Sequence, residues 1–224
     1  MLTHSLFQTT RRLVFGRGTF ATLPEEVSRL KGSRVMIITD EGIVKAGIAQ
    51  QAEKMLSGAG ITCECFSGVT PDPAYEIADQ AAQRAKDFGA DVLVGLGGGS
   101  SLDIAKVASV LLTNEGPVVT FFGVDAIQRP GLMTILIPTT AGTGSEVTPI
   151  VILSDEQEKL KKGIVSPHLF PDAAIIDPEL TINLPAHVTA ATGMDAFIHA
   201  VEAYTSKNAN SMTDMFAEKA IKLI

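Results

Sequence analysis

The chemistry available to this chain is concentrated in a few places. In Gly193-Met194-Asp195-Ala196-Phe197-Ile198-His199-Ala200 an acid and an imidazole stand four residues apart. On a helix, positions i and i+4 project from one face. The apolar neighbours Ala196, Phe197, Ile198 and Ala200 predict a largely buried helix, on which both polar groups require a partner. Two readings stay open: an Asp195–His199 hydrogen bond, or two ligands of a divalent metal. An oxygen and a nitrogen donor suit iron(II), zinc or manganese about equally, and two ligands do not close a metal site. His4 and His187 read as solvated or capping residues, and His168, within SPHLFPD, as structural.

A second candidate is the turn Gly95-Leu96-Gly97-Gly98-Gly99-Ser100-Ser101. Glycines let backbone N–H groups approach a bound group closely, and a helix N-terminus adds partial positive charge. Together they form a phosphate cradle, in which Ser100 or Ser101 is expected to cap the helix and donate to phosphate. A tight turn that binds nothing is the competing reading, since no P-loop Lys-Ser/Thr follows. Asp40 closes the apolar run VMIITD. A carboxylate at that end of a strand can accept hydrogen bonds from a ribose and repel a 2′-phosphate; equally, it can cap the helix that follows. A third loop, Thr139-Thr140-Ala141-Gly142-Thr143-Gly144-Ser145-Glu146, offers hydroxyls to a base, ribose or amide. The charged stretch from Glu156 to Lys162 reads as a solvated turn, with Lys162 able to lean toward a phosphate.

These residues must be held by a scaffold, and the hydrophobic pattern describes one. Strand-length apolar runs at 35–39, 61–66, 91–97 and 134–138 alternate with helix-periodic stretches at Ile43–Leu56, Pro73–Phe88 and Ser101–Leu112. VMII and VLVGL are apolar at every position, as in strands buried on both faces of a parallel sheet. Such alternation predicts an α/β fold, a Rossmann-like, doubly wound, mainly parallel sheet. Between Glu146 and Ile176 three short strands are expected, partly antiparallel. From 181 the pattern turns helical, so residues 1–180 read as one domain and 181–224 as the beginning of an all-helical one. The last helix ends on its apolar side (Met212, Met215, Phe216, Ile221, Leu223, Ile224) without a capping signal, and Ile224 is expected to be a truncation point.

Composition removes several function classes. A net charge of −7 over 224 residues leaves no basic footprint for nucleic acid. Charged residues make up 19% and hydrophobic residues 46%, and mean hydropathy is +0.25. That balance suggests broad buried surface, including a subunit or domain interface. No apolar run approaches the roughly 20 residues of a membrane helix, and the N-terminus lacks signal-peptide features; the expectation is a cytoplasmic protein. Cys63 and Cys65 are expected on opposite faces of a strand as reduced, buried residues rather than a disulfide.

Four segments together, GGGSSLDIAK (97–106), PTTAGTGSEVT (138–148), SPHLFPDAAIIDPEL (166–180) and GMDAFIHAVEAY (193–204), resemble the signature blocks of the iron-containing (group III) alcohol dehydrogenases. The resemblance covers essentially the whole chain and implies a dehydroquinate synthase-like architecture, an α/β domain and a helical domain with the active site between them. It implies that Gly97, Gly98, Gly99 and Ser100 hold the pyrophosphate of NAD, and that Asp40 faces the adenosine ribose and favours NAD over NADP. Thr139, Thr140 and Thr143 would line the adenine and nicotinamide path, with Ser145, Lys162 and Leu180 nearby, and Asp103 would help order the glycine loop. Asp195 and His199 would be the first two ligands of Fe2+ (alternatively Zn2+), through which they act catalytically; the family's two further histidine ligands have no counterpart here. The implied reaction is hydride transfer between a small alcohol and NAD, giving the aldehyde or ketone, by a homodimer or larger oligomer. Two alternatives are carried: a same-fold enzyme of the glycerol dehydrogenase, dehydroquinate synthase or maleylacetate reductase type, and a nucleotide-binding module without activity. Downstream histidines would separate the first, and NADH binding without metal or turnover would mark the second.

Overall fold

The computed structural model describes residues 6–224; His4 lies outside the described residues. Nine strands and seven α-helices follow in order: β1 (Leu13–Phe15), α1 (Leu23–Arg29), β2 (Arg34–Asp40), α2 (Glu41–Lys45), α3 (Ile48–Gly58), β3 (Thr62–Val69), α4 (Glu76–Phe88), β4 (Val92–Gly97), α5 (Gly99–Leu111), β5 (Gly123–Val124), β6 (Met133–Pro138), β7 (Ile150–Asp155), β8 (Leu160–Val165), β9 (Ala173–Ile176), α6 (Ala186–Thr205) and α7 (Ser211–Leu223). Six strands form one sheet in the order β1-β9-β6-β4-β2-β3, and every pairing in it is parallel.

The doubly wound expectation holds, and alternation along the strands shows why. Val35 and Ile37 of β2 pack into the layer shared with α1 and α3, whereas Met36 and Ile38 pack into the layer shared with α4 and α5. Successive side chains of a strand point to opposite faces, so a strand covered by helices on both sides must be apolar throughout. β4 obeys the same rule and is buried along its whole length.

The antiparallel pairing foreseen for 146–176 is confined to β7 and β8, which form a small second sheet with β5. β9 instead joins the main sheet, alongside β6 and β1. Three further details depart from expectation. The helix expected over Ile43–Leu56 is two helices, broken at Gly47, whose φ of 77° takes it out of helical geometry. Strand β1 and helix α1 were not foreseen; β1 is three residues long and shows no clear alternation. Cys63 and Cys65 lie on the same face of β3, both against the α3 layer, because positions i and i+2 of a strand share a face. They remain free thiols, and burial pushes that of Cys65 up to about 11, with the charges of Glu53 and Cys63 adding to the effect. Among the described residues, no helix is long and apolar enough to cross a membrane.

Candidate functional site at the carboxyl edge of the parallel sheet

The strand order reverses direction between β2 and β4: β3 extends the sheet from one side of β2, while β4, β6 and β9 extend it from the other. Crevices of this kind, outside the carboxyl ends of parallel strands, are where open α/β sheets bind ligands. Asp40 ends β2 and Gly97 ends β4, so the first two candidate groups flank this point.

Asp40 caps the helix that follows, as one of its two readings allowed. One carboxylate oxygen caps α2, accepting from the N–H groups of Gly42 at 2.8 Å and Ile43 at 3.1 Å. The other accepts from the Ser101 hydroxyl at 3.3 Å. A Cβ placed on Gly97 would lie 3.2 Å from that second oxygen and 2.7 Å from the Ser101 Oγ. With Gly97 at φ 149°, a side chain here would be both strained and crowded.

Neither Ser100 nor Ser101 caps α5, contrary to expectation. The helix begins at Gly99, its N-cap is Gly98, and no side chain bonds to its first amides. Triple glycine lets the chain turn from strand to helix without spacer residues, so both serines fall inside the first turn. The Ser101 hydroxyl is spent on Asp40. The helix therefore presents its first N–H groups uncapped, the condition for an anion at a helix N-terminus.

The loop 139–146 converges on this turn. A Cβ on Gly98 would meet Thr140 at 3.5 Å, and one on Gly99 would meet Thr143 at 2.7 Å. The Thr139 N–H donates to the Gly97 carbonyl at 2.9 Å. Thr139 is 1% exposed, yet its hydroxyl has no partner among the described residues. A buried hydroxyl without a partner is costly, and beside a glycine cradle it is what a ligand-binding loop shows before its ligand is considered. The groups present thus suit a dinucleotide: bare amides for a pyrophosphate, a carboxylate at one end, and hydroxyls along the other side.

Beneath this loop lies a residue that sequence reasoning passed over. Lys106 is fully buried on α5, and its ammonium donates to the carbonyls of Ser145 at 2.9 Å, Thr148 at 3.3 Å and Ile150 at 2.6 Å. Burial pulls its pKa below the ordinary lysine value, against the charge and hydrogen bond of Asp103. Asp103 lies 3.4 Å from that ammonium. It accepts from the Ser145 hydroxyl at 2.5 Å and from the Ile152 N–H at 2.9 Å. The expectation that Asp103 orders the glycine loop therefore shifts: its bonds go to the threonine loop and to β7. Burial raises the pKa of neighbouring Glu146 above the ordinary carboxylate value, partly offset by a backbone hydrogen bond and by Lys106. The signal available in sequence was the spacing in Asp103-Ile104-Ala105-Lys106, an acid and a base one turn apart on an otherwise apolar helix.

The same loop touches α6. A Cβ on Gly142 would meet the Thr192 side chain at 2.9 Å and its backbone carbonyl oxygen at 3.1 Å. Thr192 precedes Asp195 by three residues, so the loop abuts the helix that carries the acid–imidazole pair. The His199 Nε2 lies 3.6 Å from the Asp195 Oδ1, with the side chains 53% and 44% exposed. The helix expected to be largely buried is not: Ala200 is its one buried residue. Its apolar neighbours Met194 and Ile198 face outward. No group of three or more His, Cys, Asp or Glu side chains suited to a metal occurs among the described residues. Asp195 and His199 fit as an oxygen and a nitrogen donor on one face, which is half of a metal site.

Two site residues stand apart from this assembly. Lys162 is held by Asp155 and Glu158, each at 2.9 Å, and lies over the Phe122 ring at 5.6 Å; none of these contacts reaches the glycine turn. Leu180, in the turn after β9, packs on the α1/α3 side of the core. A cleft of about 300 Å3 is lined by Thr140, Gly142 and Glu146 of the threonine loop and by Phe15, Ile176 and Asp177 at the ends of β1 and β9. A larger groove of about 670 Å3 lies at the opposite end of the strands, lined by Arg11, Thr134, His168 and Asp172.

Known proteins share this arrangement. The profile described as iron-containing alcohol dehydrogenase matches residues 10–178, and that of the C-terminal part of the Fe-containing alcohol dehydrogenase family matches residues 189–224. A sulfoacetaldehyde reductase of Bilophila wadsworthia is 44% identical over 216 residues, which are 96% of this chain and 56% of that protein. The NAD-dependent methanol dehydrogenase of Bacillus methanolicus is 36% identical over 94% of this chain and 55% of its own length. Among solved structures, a 1,3-propanediol oxidoreductase superposes with a TM-score of 0.94 at 36% identity, covering 98% of this chain and 58% of its own. The sulfoacetaldehyde reductase of Bifidobacterium kashiwanohense, solved with NAD+, does so with a TM-score of 0.87 at 29% identity over 98% and 59%. The chain spans about half the length of the curated relatives it matches. With its glycine turn, threonine loop and Asp–His helix matched in this order, the chain belongs to the iron-containing alcohol dehydrogenase family.

Proposed function

We propose that this chain supplies the nucleotide fold and one flank of the reaction cleft of a metal-dependent, NAD(H)-linked oxidoreductase that interconverts a small alcohol and its aldehyde or ketone. The observation that carries this is the continuous contact from the glycine turn through the threonine loop to the helix bearing Asp195 and His199. That contact supports reading the glycine turn as a nucleotide cradle and Asp195 and His199 as two metal donors of one cleft. The relatives named for NAD-dependent methanol oxidation and for an NAD+ complex support the cofactor.

In this reading the amides of Gly97, Gly98, Gly99 and Ser100 hold the pyrophosphate. The Asp40 carboxylate takes the adenosine ribose and repels a 2′-phosphate. Thr139, Thr140 and Thr143 line the adenine and nicotinamide path, Ser145 holds their loop, and Leu180 closes the apolar side; Lys162 joins only by releasing Asp155. Asp195 and His199 hold the metal, iron before zinc. When bound, the metal would supply Lewis acidity toward the alcohol oxygen and the nicotinamide ring a hydride acceptor. The chain's own part is to orient the ring and fix its distance from the two donors. We place the division between the nucleotide domain and the helical domain near residue 180, where the last parallel strand has ended. The exposed Leu13 and Phe15 on edge strand β1 support association into a dimer or larger oligomer.

Fluorescence titration of the 224-residue protein with NADH tests the reading. Saturable binding that Gly99→Val weakens about 100-fold is expected; a folded chain that leaves NADH unbound refutes it. The half-set of metal donors favours a second reading for the chain by itself, a nucleotide-binding module without turnover. NADH binding with no alcohol oxidation in the presence of Fe2+ or Zn2+ would identify that case.

A further inference from the structure

A fully buried lysine needs a reason. Desolvating an ammonium costs several kcal/mol unless hydrogen bonds and a counter-charge replace its water. Lys106 has both: three carbonyl acceptors, from Ser145, Thr148 and Ile150, and Asp103 one turn before it. What those acceptors have in common is their place in the chain. All three lie between the end of the threonine loop and the first residue of β7. Ser145 and Thr148 precede β7, and Ile150 opens it on the edge of its small sheet; the Ser145 carbonyl also accepts from the Thr148 N–H and hydroxyl. Asp103 complements the ammonium, taking the Ile152 N–H and the Ser145 hydroxyl. The two side chains thereby act as a substitute strand, offering donors and acceptors to an edge that has no neighbouring backbone there.

The other end of the loop is fixed by contact. Gly142 lies against Thr192 closely enough to exclude even a methyl group. The loop is thus held from below by α5 and meets α6 above, with the glycine turn on its flank.

We propose that Lys106 and Asp103 are positioning residues that set the threonine loop, and through Gly142 the Asp195–His199 helix, at a fixed distance from the nucleotide cradle. This rests on the reading given under Proposed function. It assigns the pair a larger effect on the whole dinucleotide, whose nicotinamide half must pass the loop toward α6, than on the adenosine half, which Asp40 and the glycine turn also hold. A merely structural lysine would weaken every ligand alike.

The test compares NADH with ADP on the purified chain, by titration of wild type, Lys106→Met and Ser145→Ala. Met keeps the length of the side chain and removes the donors. Ser145→Ala removes one bond to Asp103 and leaves the ammonium in place. Lys106→Met is expected to weaken NADH about tenfold or more while ADP stays within about twofold; Ser145→Ala is expected to weaken NADH about threefold, again sparing ADP. If both ligands weaken in step, or neither weakens, the proposal falls. Should Lys106→Met fail to fold, Ser145→Ala decides by the same ratio. A wild type that binds neither ligand refutes the functional reading itself, which keeps the two failures apart.

Discussion

Two regions of this molecule carry candidate chemistry, and they are built to opposite standards. Around the glycine turn most groups are held: Asp40 by two amides and a serine, and the threonine loop by a buried lysine and aspartate. On α6, Asp195 and His199 are about half exposed and lie 3.6 Å apart. The difference teaches where each site draws its rigidity. A cradle made of backbone amides is complete once the sheet and its first helices are in place. A metal site made of side chains is complete only when ligands from several elements meet, and one helix here offers two candidate donors.

The comparison can be broken first at the level of stability. Leu93 is fully buried in β4, so Leu93→Ala is expected to cost about 2–5 kcal/mol in chemical denaturation. Ile198→Ala, on the open face of α6, should change stability by no more than about 0.5 kcal/mol. Equal effects would mean that α6 is buried in solution. Next is Gly99→Val, whose side chain would occupy the space of Thr143. NADH affinity should fall about 100-fold, or about 2.7 kcal/mol, whereas Asp195→Ala should leave it within about twofold. The third probe joins the regions. Gly142→Ala drives a methyl group into Thr192 and is expected to cost about 1–3 kcal/mol. Hydrogen exchange should rise in α6 while β2 and β4 stay protected; a uniform rise would show that the loop does not act as the link.

Smaller effects sharpen the picture within the nucleotide region. Asp40→Ala removes the cap of α2, worth about 1 kcal/mol, and should narrow the preference for NADH over NADPH in paired titrations. If the preference is unchanged, Asp40 is a cap and nothing more. The smallest expected change concerns pH. The hydrogen bond from Lys162, then the N–H of Glu158, hold the Asp155 carboxyl below the ordinary carboxylate range. A lowered folded-state pKa stabilises the fold above the unfolded pKa of about 3.9, and that contribution is lost as pH falls through the folded value. Asp155→Asn should therefore lower stability at neutral pH, leave low pH little changed, and so flatten the acid limb of the stability profile. An unaltered acid limb would show that the pair contributes nothing.

Much of the nucleotide region was legible from residue order. The β2 and β4 runs are apolar at every position because helices cover both faces, and that pattern survives without a structure. Gly97–Gly99 was legible because few other residues permit so sharp a passage from strand to helix. Other features were not. Lys106 reads in sequence as an ordinary helical lysine; its burial depends on β7 lying across α5, a contact between residues about 40 positions apart. The serine caps failed because helix starts follow local geometry, and Gly98 made an earlier start possible. Strand β1 is too short to show a period, and its partner β9 lies some 160 residues downstream.

Residue order by itself determined the periodicities, the sites of tight turning and the kinds of donor available: amides at a triple glycine, hydroxyls in one loop, an acid and an imidazole on one helical face. These are local properties, set by backbone freedom and by spacing along a helix or strand. Tertiary structure alone decided which of those donors meet. It turned Asp40 toward the glycine turn, buried Lys106 beneath the threonine loop and left Asp195 and His199 open, because proximity between distant segments depends on how layers stack rather than on any one stretch of chain.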